Sequence, residues 1–357
     1  MARRLLLGCA LACGATLIAT PAYACGGLIG PNGAVNLART TTLAAYHNGI
    51  EHYVTAFTFT GATKGTFGSI VPLPGIPTKV ERGGDWTLQR LEREVAPPVP
   101  KGLFLDHTGV AFAAAPEIIL QTKIDALDIT VLKGGAFAVG TWAEQHGFNL
   151  PPDAPSVLDF YARRSQIFMA ARFDAAAAAK RGQRAGDGTP IHLTIPTNNP
   201  WVPLRILALG KQGSEVIDAD VFLLTDNVPA MLPQPVGGQN LASAPLATGM
   251  QLVRSERASA SLMQDLKIDK GMGWMPKSMW LTFIRLAAPA NTLGYDLAID
   301  ATGQNQPSLQ AAGFPTGIAA AAKHIRDSLP LWLAWTAAGA LTGGLLTTML
   351  RRRLRTA

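Results

Sequence analysis

The feature that most constrains this chain lies near its end. Residues Leu329 to Leu350 read LPLWLAWTAAGALTGGLLTTML without one charge, and Arg351, Arg352, Arg353 and Arg355 follow at once. At about 1.5 Å of rise per residue, a helix of that run is roughly 33 Å long, enough to cross a bilayer core. A helix satisfies its own backbone hydrogen bonds, so Pro330 in the first turn and the Gly and Thr residues within the run are tolerated in lipid. Flanking arginines stay on the cytoplasmic side, while Trp332 and Trp335 sit near the other end, where indoles favour the water interface. The expectation is a single-pass helix over 329–350, a cytoplasmic tail over 351–357, and everything earlier outside the cytoplasm.

The other end agrees. Arg3 and Arg4 precede an apolar run from Leu5 to about Ala19, and Ala22-Tyr23-Ala24 places small residues at both positions that a signal peptidase reads. Cleavage after Ala24 is expected, leaving a cell-envelope protein. The chain holds 31 Lys plus Arg against 24 Asp plus Glu. Six of the basic residues belong to the signal head and the tail, so the exported body is almost neutral, and no nucleic-acid partner is expected. Cys9 and Cys13 leave with the signal. Cys25, the new N-terminus, then has no internal disulfide partner, and its readings are a lipidated cysteine, a reactive or intermolecular thiol, or an incidental residue.

Within the body, TTTLAAYH and IEHYVTAFTFTG flank Asn48-Gly49, the strongest hairpin signal in the sequence. The register places His47 and His52 on one face, within reach of a shared metal ion, and Glu51 on the other. Two histidines make no zinc site, so His47 and His52 stand as weak metal candidates and no cofactor is expected. A strand is predicted over Gly68–Leu73 and a helix over Asp85–Val95 with Asp85 as its cap, ended by Pro97-Pro98-Val99-Pro100. The break near 96–116 allows two subdomains. Strands follow over Glu117–Leu132 and Gln166–Phe173, with helices over Ala136–His146 and Pro155–Arg164 between them as a central helical pair. Ile191–Ile195, Leu204–Leu209, Val216–Thr225, Leu281–Ala287 and Tyr295–Ile299 supply further strands. The fold class is therefore α+β, mostly antiparallel sheet, over 25–300, with a stalk over 301–328.

Several blocks together carry a family resemblance. They are Cys25-Gly26-Gly27, Val71-Pro72-Leu73-Pro74, Ile129-Thr130-Val131-Leu132, Trp142-Ala143-Glu144-Gln145-His146-Gly147-Phe148 up to Tyr161, and Pro203-Leu204-Arg205-Ile206. In order and spacing they resemble bacterial exported proteins grouped as domain of unknown function 2330, over most of Cys25 to about Ala288. The resemblance implies an envelope location and, in some members, a C-terminal anchor. It implies no established activity and lends no catalytic residue.

A search for chemistry finds no G-x-S-x-G, H-E-x-x-H, C-x-x-C or phosphate-binding loop, and the six histidines are scattered. Catalytic residues are therefore unassigned. Met272, Trp274, Met275, Met279 and Trp280 crowd one Gly- and Pro-broken stretch, and thioethers beside indoles make an adaptable apolar surface. Core packing competes there with a contact surface built on Trp274 and Met275, and with membrane contact. In the span, Gly339 and Gly343 form a G-x-x-x-G that lets two helices approach, so a homodimer is one candidate assembly. The expected function is a membrane-anchored, non-enzymatic binding module with the bilayer and an envelope protein or glycan as partners. The alternative is an envelope hydrolase or transferase with a site assembled from distant residues.

Overall fold

The computed structural model describes residues 27–31, 33–34, 40–57, 66–96, 118–182, 188–238 and 246–314. The signal segment, Cys25, the stretch 97–117, and the span with Gly339 and Gly343 lie outside the described residues. Among the described residues no helix is long and apolar enough to cross a membrane.

In chain order the elements are β1 (Gly27–Gly30), β2 (Gly33–Ala34), β3 (Thr40–His47), β4 (Ile50–Phe57), β5 (Phe67–Pro72), β6 (Lys79–Arg82) and α1 (Thr87–Val95). They continue with β7 (Ile118–Ile124), β8 (Leu127–Lys133), α2 (Gly135–Gln145), α3 (Ala154–Ala162), β9 (Ile167–Phe173), α4 (Ala175–Lys180), β10 (Thr189–Pro196) and β11 (Trp201–Val202). The last are β12 (Val216–Thr225), β13 (Ala230–Leu232), β14 (Gln234–Val236), β15 (Leu246–Arg257), α5 (Ala260–Ile268), β16 (Trp280–Pro289) and β17 (Leu297–Asp300).

Six strands form one sheet in the order β2-β1-β5-β9-β8-β7, and eight form another in the order β14-β15-β16-β12-β3-β4-β10-β6. Pairing is antiparallel except for β12 with β3 and β14 with β15. A three-stranded sheet, β11-β17-β13, stands apart. Period-two alternation decides which side chains face where. On β4, Tyr53 joins the core shared with Val71, Val131 and Met169 of the six-stranded sheet, while Val54 faces Leu91 of α1 and Leu262 of α5. The outer face of the six-stranded sheet is covered by α2 and α3, through Trp142, Val157 and Tyr161. Four layers result: helices, sheet, sheet, helices. Fully burying side chains of this size stabilises by about 1.5–3 kcal/mol each.

The mostly antiparallel α+β architecture is as the sequence suggested, and so is the β3–β4 hairpin. Its turn residues Asn48 and Gly49 have φ 52° and 79°, the left-handed pair that a two-residue turn of this twist requires. The helical pair α2–α3 does stand between two strands, β8 and β9, and in space it lies on the outer face of the six-stranded sheet, which its apolar stripe covers. Strands on the two sides of 96–116 pair with one another, β5 with β9 and β6 with β10. Other expectations need correction. Leu204–Leu209 is not a strand. Arg205–Ala208 is a 3₁₀ turn, held because Oδ1 of Asp296 accepts from the backbone N–H groups of Leu204 and Arg205 at 2.8 and 2.9 Å. The described part of the expected stalk, 301–314, packs on the body: Ala312 is buried, its carbonyl accepts from the Asp296 N–H at 3.0 Å, and Phe314 stacks on Tyr295.

Candidate functional site

On the helix-covered face of the eight-stranded sheet, three neighbouring strands carry one polar row. His192 of β10 lies directly across from Glu81 of β6 and diagonally from His52 of β4, whose own partner is Thr194. Nδ1 of His52 is 2.9 Å from Nε2 of His192, and Nδ1 of His192 is 3.4 Å from Oε1 of Glu81. The last contact is too long and too poorly aligned for a hydrogen bond, yet the adjacent carboxylate favours the proton on Nδ1 of His192. Nε2 of His192 then accepts from Nδ1–H of His52. Nε2 of His52 is left as a bare acceptor with no protein partner among the described residues.

Trp274 roofs the row. Its indole lies flat on the His52 imidazole, with centroids 3.5 Å apart and planes at 3°, and reaches His192 at 5.9 Å. Its Nε1 is buried without a partner. His52 keeps only 7% of its surface and His192 is buried. Burial, then the neighbouring His192 and His47, push the His52 pKa down to about 3 against the opposing pull of Glu81. Burial first and Lys79 second push His192 down to about 4. Both rings are neutral at any ordinary pH.

The loop that carries Trp274 is positioned from a distance. The carboxylate of Asp269 accepts from the backbone N–H groups of Asp85 and Trp86 at 2.9 and 3.1 Å and from the Thr87 hydroxyl at 2.7 Å. It therefore ties down the residues that lead into α1, whose start has no side-chain cap; Asp85, the expected cap, instead pairs with Arg82 at 2.8 Å. A carboxylate from the following loop can do this because α1 and α5 lie side by side, tied by Arg90 to Asp265 at 2.8 Å. The Asp269 N–H bonds to Leu266 and the Met272 N–H to Asp269, which holds the loop against α5.

Of the residues singled out from sequence, His47 and His52 do share a face, but they do not converge. Nδ1 of His47 pairs with Asp226 at 2.7 Å, beyond the end of β12, while Nδ1 of His52 turns to His192. Among the described residues no three His, Cys, Asp or Glu side chains gather to hold a metal. Trp274 is half-buried. Met275 is fully buried with Met272 and Met279, so it packs the core beneath α5 and cannot present a contact surface. His192 and Glu81 escape sequence reasoning. The one signal is His192 itself, a polar residue set in the apolar run Ile191–Ile195.

Glu51 occupies the opposite face of β4. It is fully buried, and neither carboxylate oxygen has a well-formed hydrogen bond. Burial lifts its pKa to about 8, against the smaller pull of the Trp201 backbone amide.

No curated protein matches this chain. Among solved structures, a mutated baculovirus P35 after caspase cleavage aligns over 75% of this chain and 98% of its own, at 9% identity and a TM-score of 0.40. The caspase-8/P35 complex aligns over 74% and 96%, at 8% identity and 0.38. A family model described as "Uncharacterized protein conserved in bacteria (DUF2330)" matches residues 19–227, a shorter reach than the resemblance to about Ala288. The chain belongs to this bacterial family of uncharacterised proteins, DUF2330.

Proposed function

We propose that the chain is a membrane-anchored envelope protein whose body binds a ligand over His52 and Trp274. The observation that carries the binding reading is the unpartnered Nε2 of His52 beneath the indole. An imidazole with a pKa near 3 is too weak a base to remove protons near neutral pH, because general-base catalysis is most effective when the pKa lies near the working pH. As a neutral acceptor with a fixed tautomer it can receive a hydrogen bond from a ligand N–H or O–H, and the half-buried indole supplies an apolar face. The anchor rests on the uncharged run 329–350 with its arginine flank, and export rests on Met1 to Ala24.

Native mass spectrometry of the full chain, extracted in detergent from its own membrane, tests both halves. The expected species begins at Cys25, sediments with membranes before extraction, and carries an added mass that the His52→Phe and Trp274→Ala variants lose. Bare protein in all three samples sinks the ligand reading. Recovery in the soluble fraction sinks the anchor.

A further inference from the structure

Phe160, near the end of α3, carries two guanidinium groups, those of Arg164 and Arg205, each 4.3 Å from the ring centroid. Their circumstances differ. Arg164 pairs with Asp296 and donates to the Ala311 carbonyl. The Arg205 side chain is half-buried, yet it makes no hydrogen bond or ion pair among the described residues. Asp296 cannot serve it. Its Oδ1 already accepts from the Tyr161 hydroxyl and from the Leu204 and Arg205 backbone N–H groups, and its Oδ2 holds Arg164. Arg163, just past the end of α3, is exposed and likewise unpaired among the described residues. Asp159, one turn earlier, is exposed and forms no ion pair there either.

Burial lowers the Arg205 pKa; Tyr161 and Asp296 oppose that shift, and the charges of Arg163 and Arg164 add to it. Around Arg205, three cations therefore meet one carboxylate. A charge taken partly out of water is costly until something pairs with it. The group is also held ready. Asp296 fixes the Arg205 backbone and Phe160 carries the guanidinium, so little freedom remains to be lost on binding.

We propose that Arg205, with Arg163 supplying a second charge, binds the oxyanion group of a small ligand, a phosphate or a carboxylate, where α3 meets the 3₁₀ turn. A guanidinium presents its N–H groups as a fork that matches two oxygens of either group. The site lies beyond both sheets from His52 and does not depend on the ligand reading there.

The test is calorimetric titration of the full chain with inorganic phosphate and, separately, with acetate, at constant ionic strength. Saturable binding of at least one anion is expected: phosphate alone marks a phosphorylated ligand, acetate alone a carboxylate, and both mark the shared chemistry. Arg205→Gln is expected to weaken binding about tenfold or more, and Arg205→Lys nearly as much, because an ammonium keeps the charge and loses the fork. The bound anion should raise the wild-type Tm and leave that of Arg205→Gln unmoved. Arg163→Gln, a change at an exposed side chain, is expected to weaken binding about threefold and decides the matter should Arg205→Gln fail to fold. Binding of neither anion, or binding that survives both Gln variants unchanged, overturns the proposal.

Discussion

The Tyr161 hydroxyl donates to Oδ1 of Asp296 at 2.9 Å, and the same oxygen of Tyr161 accepts from the Ile206 N–H at 2.8 Å. Asp296 also holds Arg164, whose guanidinium lies 4.7 Å over the Trp201 ring. This buried network joins α3, the 3₁₀ turn and the approach to β17. Removing one partner of a buried ion pair leaves the other uncompensated. Asp296→Ala is expected to cost about 3–5 kcal/mol, and Tyr161→Phe about 1–3 kcal/mol. Denaturant unfolding of the full chain measures both, and equal, negligible losses would remove the network from the account of stability.

Asp269, just past the end of α5, ties down the segment that leads into α1. Asp269→Ala leaves the donors of that segment without their acceptor and should destabilise by about 1–3 kcal/mol. It should also loosen the loop that places Trp274 over His52. Hydrogen exchange over 84–90 and 269–275 is expected to accelerate in both segments together. Acceleration in 84–90 alone would show that this tie does not position the loop.

The titration of buried groups sets the pH of greatest stability. His52 and His192 fall from ordinary values of 6.5 to about 3 and 4, so the unfolded chain takes up protons first and their contribution is lost as pH drops below 6.5. Glu51 rises from 4.5 to about 8, so its contribution is present below 4.5 and is lost as pH climbs toward 8. Between 4.5 and 6.5 two groups outweigh one, and above 6.5 only Glu51 acts. Stability is expected to peak near pH 6.5. Glu51→Gln should flatten the alkaline decline, and thermal unfolding across pH 5 to 8 that leaves wild type and variant parallel would refute the assignment.

Gly83 packs against the strand that bears the histidine row. A Cβ there would lie 2.5 Å from the His192 Cβ and 2.7 Å from its backbone nitrogen. Backbone cannot yield cheaply, so Gly83→Ala should push β6 off β10, cost about 1–3 kcal/mol, and separate Glu81 from His192. Imidazole nitrogen chemical shifts read the second effect: His192 is expected to lose its preference for the Nδ1–H tautomer. An unchanged tautomer in a destabilised variant would show that Glu81 does not set it.

Local pattern decided much of this molecule in advance. The Asn48-Gly49 turn was legible because only a few residue types accept two successive left-handed conformations. The stripes of α1, α2 and α3 and the alternation of β10 and β12 were legible because their periods follow from backbone geometry. Pairing between distant strands was not. Nothing local tells β4 that β10 will lie beside it, 140 residues on, so His192 and Glu81 could not be joined to His52 from sequence. The 3₁₀ turn at Arg205–Ala208 has strand-like composition and is bent by Asp296, a residue about 90 positions away. Met275 and Trp274 are adjacent in sequence, yet one is core and the other half-open, because the loop's approach to α5 and the sheet fixes which side chain turns inward. Secondary structure is written in short-range chemistry, whereas the site exists only where tertiary packing brings three strands and one loop together.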